Sequence, residues 1–167
     1  QINLILKQQE KLIISFITEN PFWSPGLQIM NETNKLCECE KVQDDKEKRF
    51  YEYSNGLVVK NFIYDTFEIS DADGVFVIFD ARDKEEIDPK WKEVLLNIIA
   101  QLDENKVALI GIRVSEKTNW SNIIEDFEIN KYLEKKMVSV LFFKIGMEYR
   151  LEIYDQLQIM LSAILDN

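Results

Sequence analysis

The chain contains no histidine. That removes the side chain most often used as a general base near neutral pH, and the commonest protein ligand for transition metals. Only two cysteines occur, Cys37 and Cys39, one residue apart. Their spacing is too short for an ordinary unstrained disulfide, and on a strand they point to the same face. Two reduced thiols in a cytoplasmic protein are therefore expected, with no metal site and no bound cofactor. Basic residues are in the minority, 20 Lys and Arg against 30 Asp and Glu, for a formal net charge of -10. This argues against nucleic acid as the main partner, because phosphate affinity comes from clustered Lys and Arg, and it disfavours an anionic membrane surface. No apolar run reaches the roughly 18 residues of a membrane span, and no signal peptide is recognisable, so direct membrane insertion is not expected.

What the sequence does contain suits one globular domain spanning residues 1–167. At 46% hydrophobic residues it is long enough to bury a sizeable core. It begins at Gln1 just before an apolar run, which is expected of the N-terminal part of a longer protein. Ile2 to Leu6 reads as a short strand, and the apolar run Lys11 to Ile17 as a helix ending before Pro21. Pro21 and Pro25-Gly26 mark a loop. Two strands follow, Leu36 to Val42 and Leu57 to Tyr64, separated by the charged stretch Gln43 to Arg49 and by turn chemistry at Ser54-Asn55-Gly56.

Beyond residue 70 the pattern sharpens. Gly74 to Asp80 is nearly all apolar, as a strand buried on both faces should be. Asp88-Pro89 opens a helix with a cap residue followed by proline, and Trp91, Val94, Leu95, Ile98, Ile99 and Leu102 lie along one face of it. Strands at Val107 to Val114 and Val138 to Ile145 follow, with a polar helical stretch from Trp120 to Lys135 between them. An amphipathic helix marked by Leu151, Tyr154, Leu157, Leu161, Ile164 and Leu165 closes the chain. The alternation predicts an α/β fold: a doubly wound, mostly parallel six-stranded sheet with helices on both faces and one early antiparallel pair.

This element order, with Asp73 to Asp80 and Val107 to Gly111 as its most typical strands, resembles the Ras-like (G-domain-like) proteins over nearly the whole chain. The residues that bind and hydrolyse GTP in that family have no counterparts. The first strand-to-helix turn, placed at Lys7 to Lys11, has no glycine, and Lys11 and Ser15 are not adjacent as the phosphate loop requires. Asp65-Thr66-Phe67-Glu68 keeps an Asp but lacks the glycine whose amide meets the γ-phosphate. Gly111 to Ser115 carries Ile112 and Ser115 where the guanine-reading Asn and Asp would stand, and Phe143-Lys144-Ile145 replaces the last base-contacting loop. The resemblance implies a pseudo-GTPase with no enzymatic activity.

Within that group, four features are similar to the family of alpha- and gamma-adaptin-binding proteins. They are Phe50-Tyr51, the strand ending Phe79-Asp80, the helix start from Asp88 to Trp91, and Arg113-Val114-Ser115-Glu116. That similarity implies an assembly chaperone for adaptin subunits of clathrin adaptor complexes. The rival readings are a Rab-like subunit of intraflagellar transport, or a nucleotide-acting flavodoxin-like or TIR-like enzyme using Glu68 or Glu116.

For partner binding the sequence offers exposed aromatics and an arginine. Phe22 and Trp23 lie in the proline-flanked loop. Arg113 faces the former nucleotide cleft, where a nearby carboxylate is its simplest partner. Trp120 opens a helix. Val42 lies on the second strand, expected at a sheet edge open to another chain or to a second copy.

Overall fold

Five apolar residues with Ser15 and Thr18 among them make Leu12–Thr18 a strand (β1), not the expected helix. Its apolar side chains alternate across the pleat: Leu12, Ile14 and Phe16 enter one core cluster, while Ile13 and Ile17 enter the other. The preceding Ile2–Gln8 is a helix (α1) and not the expected strand. Ile2, Ile5 and Leu6 form its inner face, and Leu4 points outward at 51% exposure. These assignments come from a computed structural model that describes residues 1–19, 23–45, 47–82, 88–102, 106–126, 128, 130–131, 138–144 and 147–166.

The remaining elements are α2 (Pro25–Thr33), β2 (Cys39–Asp44), β3 (Lys48–Tyr53), β4 (Leu57–Ile63), β5 (Gly74–Asp80), α3 (Pro89–Gln101), β6 (Val107–Arg113), α4 (Trp120–Asp126), β7 (Val138–Phe143) and α5 (Met147–Asp166). Among the described residues, seven strands form one sheet in the order β2-β3-β4-β1-β5-β6-β7. The strand missing from the six-stranded expectation is β3. Its charged start hides it, and a tight turn creates it: Asp45 Oδ1 accepts from the N–H groups of Glu47 and Lys48 at 2.8 and 2.9 Å, which reverses the chain. The β2–β3 and β3–β4 pairs are antiparallel, and all other pairings are parallel. Cys37 stands in the turn before β2 and Cys39 at its first position, both as free thiols.

Helices cover both faces. Val75, Val77 and Phe79 of β5 face Trp91, Val94, Leu95 and Ile98 of α3, with Ile123 of α4 in the same cluster. Phe76 and Ile78 face the opposite way, into a cluster with α1, α2 and the α5 residues Ile153, Leu157 and Leu161. The expected start of α3 is present, with Asp88 Oδ1 accepting from Lys90 N–H at 3.0 Å and Pro89 in the first turn. Among the described residues no helix is long and apolar enough to cross a membrane.

Candidate functional site

The parallel strands β4, β1, β5, β6 and β7 end on one side of the sheet. β1 lies between β4 and β5, so the chain direction across the sheet changes there, which is where open α/β sheets carry their crevice. With the strand at Leu12–Thr18, the cleft lies where the chain leaves β1 at Glu19 and enters α2 after Ser24. The Lys7 to Lys11 segment precedes β1 at the opposite end of the sheet, so its expected role as the phosphate-loop counterpart is corrected. Ser15 is buried within β1.

Glu19 is the first residue beyond β1. Its Oε1 accepts two hydrogen bonds, from the backbone N–H of Asp80 at 3.0 Å and from the indole Nε1–H of Trp91 at 2.8 Å. A single carboxylate thus ties together the ends of β1, β5 and α3. Trp91 is held in place by stacking on Phe79 at 5.0 Å and on Tyr64 at 5.2 Å between ring centroids.

Asp80 ends β5. Its carboxylate accepts from Arg82, with Nε 3.0 Å from each oxygen and Nη2 2.6 Å from Oδ2, a forked geometry that is both strong and directional. Arg113, the last residue of β6, approaches the same carboxylate at 4.0 Å. The Arg113 guanidinium also lies 4.7 Å over the ring of Trp23, and Trp23 stacks on Phe143 at the end of β7, 6.5 Å between centroids. The result is a compact, charge-balanced cluster of Glu19, Asp80, Arg82 and Arg113 capped by an indole. Beside it, Thr118 Oγ1 accepts from Ser115 N–H and donates to Ala81 C=O, each at 2.9 Å, which fixes the loop after β6.

Burial alone would raise the Asp80 carboxyl, but hydrogen bonds and charge from Arg82, with Arg113 beyond it, hold it below the usual carboxylate range. A carboxyl depressed in the folded state contributes stability that is present above its unfolded value of about 3.9 and is lost as pH falls through the folded value. Asp80→Asn is therefore expected to flatten the acid side of the stability profile. Urea midpoints at neutral pH and at about pH 3 should converge in the variant more than in the wild type.

Of the residues singled out in the sequence, Trp23 and Arg113 meet in this cluster, and a carboxylate does partner Arg113. Trp120, at the start of α4, lies at the same end of the sheet but stacks on Phe142 of β7, 5.0 Å between centroids and tilted by 11°. Val42 belongs to β2, which is an edge strand as expected, and the pairing register shifts between Lys41 and Gln43. Phe22 lies outside the described residues. Glu68 and Glu116 are exposed, and Asp65 pairs with Lys90 at 3.7 Å. Glu19, Arg82 and Trp91 escaped the sequence reading as site residues. Only the correct position of β1 would have marked Glu19 as the first residue of the cleft loop.

No family model and no curated protein matches the chain. Among solved structures it is similar to translation elongation factor SelB from Methanococcus maripaludis in its apo form, with a TM-score of 0.51 and 10% identity. The match covers 94% of this chain and 37% of that one. At that identity the likeness speaks to the fold, and it supports a mixed α/β, G-domain-like architecture.

Proposed function

We propose that this domain is a pseudo-GTPase that neither binds nor hydrolyses nucleotide and that works by binding protein partners. The observation that carries the proposal is Glu19. Its carboxylate accepts the donors at the mouth of the β1–β5 crevice, where a phosphate would need them.

The rest of the cleft supports the same reading. A phosphate site at a helix N-terminus uses free backbone N–H groups. Here the first turn of α2 carries Pro25, which has no N–H, and the Ser24 hydroxyl accepts from Leu27 N–H at 3.4 Å. Gly26 serves packing instead of a phosphate cradle, because a Cβ there would lie 2.6 Å from the ring of Phe16. Arg82 and Arg113 are committed to Asp80, and two carboxylates in the cleft would repel a polyphosphate. On the base side, Trp23 lies between Arg113 and Phe143, filling space with an indole.

The partner we propose is an adaptin subunit of a clathrin adaptor complex, with the domain acting as an assembly chaperone. This rests on the resemblance of Phe50-Tyr51, Phe79-Asp80, Asp88 to Trp91 and Arg113 to Glu116 to the adaptin-binding family. Isothermal titration with GTP and GDP in the presence of Mg²⁺, run beside titration with recombinant adaptin subunits, tests both halves. Absence of nucleotide heat together with saturable adaptin binding is the expected result. Nucleotide binding at micromolar affinity would overturn the pseudo-GTPase reading. Silence from both titrations would sink the adaptin assignment alone.

A further inference from the structure

At the pole opposite the cleft, where α2 ends and the turn before β4 begins, α1, α2 and α5 border a cavity of about 320 Å³. One side of it is apolar, made by Ile29 and Met30 of α2 with Leu157 and Leu161 of α5, all buried. Leu36 and Tyr154 also line it and are open to water, at 96% and 41% exposure. Leu36 is the most exposed large apolar residue among those described, and it adjoins a concave apolar wall that an apolar guest would fill.

Two carboxamides supply the polar side. Asn34, buried at the end of α2, donates through Nδ2 to Met30 C=O at 2.9 Å and to Thr33 Oγ1 at 3.2 Å. Its Oδ1 accepts from Asn55 Nδ2 at 3.2 Å. These bonds fix both side chains. Among the described residues they leave a lone pair on Asn34 Oδ1 and an amide hydrogen on Asn55, since a carboxamide offers two of each. Charge is missing altogether. Of the fourteen residues lining the cavity none is Asp, Glu, Lys or Arg, in a chain where these make up 30%. An ion entering it would shed water without meeting a counter-charge, whereas a neutral molecule would not bear that cost.

We infer that this cavity binds a neutral, amphiphilic small molecule, with its apolar body against Ile29, Leu157 and Leu161 and one hydroxyl or amide at Asn34 and Asn55. The volume stands at the low end of the range for small-molecule sites, roughly 300–1,000 Å³, which suits a guest the size of a medium-chain alcohol. Few polar groups at fixed positions beside an apolar wall are what orients such a guest. The inference depends on neither the pseudo-GTPase nor the adaptin reading, because the cavity shares no residue with the cleft.

The two cysteines give a built-in readout. Cys37 lines the cavity and is half-buried, while Cys39 is exposed and lies outside it. Isothermal titration of the 167-residue chain with 1-octanol and with octanoate tests the inference, alongside the rate at which iodoacetamide labels each thiol. Gln158→Glu places a charge in the lining at nearly constant shape, and Gln156→Glu places the same charge on the same helix outside it. Both side chains are half-buried, so thermal melts of the two variants should stay close to wild type. The expected result is saturable binding of 1-octanol that slows labelling of Cys37 several-fold and leaves Cys39 unchanged. Octanoate should bind roughly tenfold more weakly or worse, Gln158→Glu should weaken 1-octanol to a similar degree, and Gln156→Glu should not. Absence of saturable 1-octanol binding would overturn the inference, as would equal binding of octanoate, equal protection of both thiols, or indifference to Gln158→Glu. Protection of Cys37 by a recombinant adaptin subunit but not by 1-octanol would give the cavity to a protein partner instead.

Discussion

Trp91→Ala is expected to destabilise the domain by about 4 kcal/mol, read as a lowered midpoint in chemical denaturation. The residue is 2% exposed and lies between Phe79 and Tyr64, so truncation opens a void that rings on both sides cannot collapse into. It also strips a donor from Glu19. Trp91→Phe separates the two contributions. The smaller ring keeps most of the packing and loses only the indole N–H, so its cost should be about 1–2 kcal/mol. Glu19 would still hold the Asp80 N–H. If the Phe variant proved as damaging as the Ala variant, the polar tie across the cleft would outweigh the packing, reversing the order argued here.

Gly56→Ala is expected to cost about 3 kcal/mol or to prevent folding outright, because two effects coincide. Gly56 has φ of +95°, in the region where a side chain is strained. An added Cβ would also lie 2.5 Å from the backbone oxygen of Glu10, which has no rotamer by which to move away. The turn before β4 is thereby pressed against the segment joining α1 to β1, and Gly56 C=O accepts from Leu12 N–H at 3.1 Å. Thermal melts of the Ala variant check this, and a wild-type melting temperature would contradict it. The expectation of turn chemistry at Ser54-Asn55-Gly56 is thus met, with a tertiary demand on the glycine that no local pattern reveals.

How far the sequence speaks depends on the element. β5 and α3 were legible because a run buried on both faces and a capped, one-faced helix each leave a strong local mark. The first two elements were interchanged for a physical reason: Ile2 to Leu6 and Leu12 to Ile17 are both short apolar runs, and periodicity cannot separate strand from helix at that length. The β-branched content at Ile13, Ile14 and Ile17 was the available signal, and it pointed the right way. That one interchange moved the expected cleft segment from the end of β1 to residues 7–11, and Glu19 disappeared from view with it. β3 was hidden by Lys48 and Arg49, which sit at the start of a strand near the sheet edge where solvated charge is tolerated. The roles of Glu19 and Trp91 join positions 72 residues apart, and no short-range pattern could have paired them. Arg113 was the exception, since its place at a strand end beside the cleft implied a carboxylate, and Asp80 supplies one.

The three tryptophans follow β1, β5 and β6 in turn, so all stand at the same pole of the molecule. Trp23 is held against a guanidinium, Trp91 is sealed between rings, and Trp120 is partly open to water. Their emission maxima should differ accordingly, and intrinsic fluorescence will report on the cleft pole almost alone. Events at the other pole, where α1 meets the Gly56 turn, will be nearly silent in that signal. A melt followed by tryptophan emission therefore samples the cleft pole, and one followed by far-ultraviolet dichroism samples the backbone of the whole fold. Any gap between the two curves would measure how tightly the sheet couples that pole to the rest.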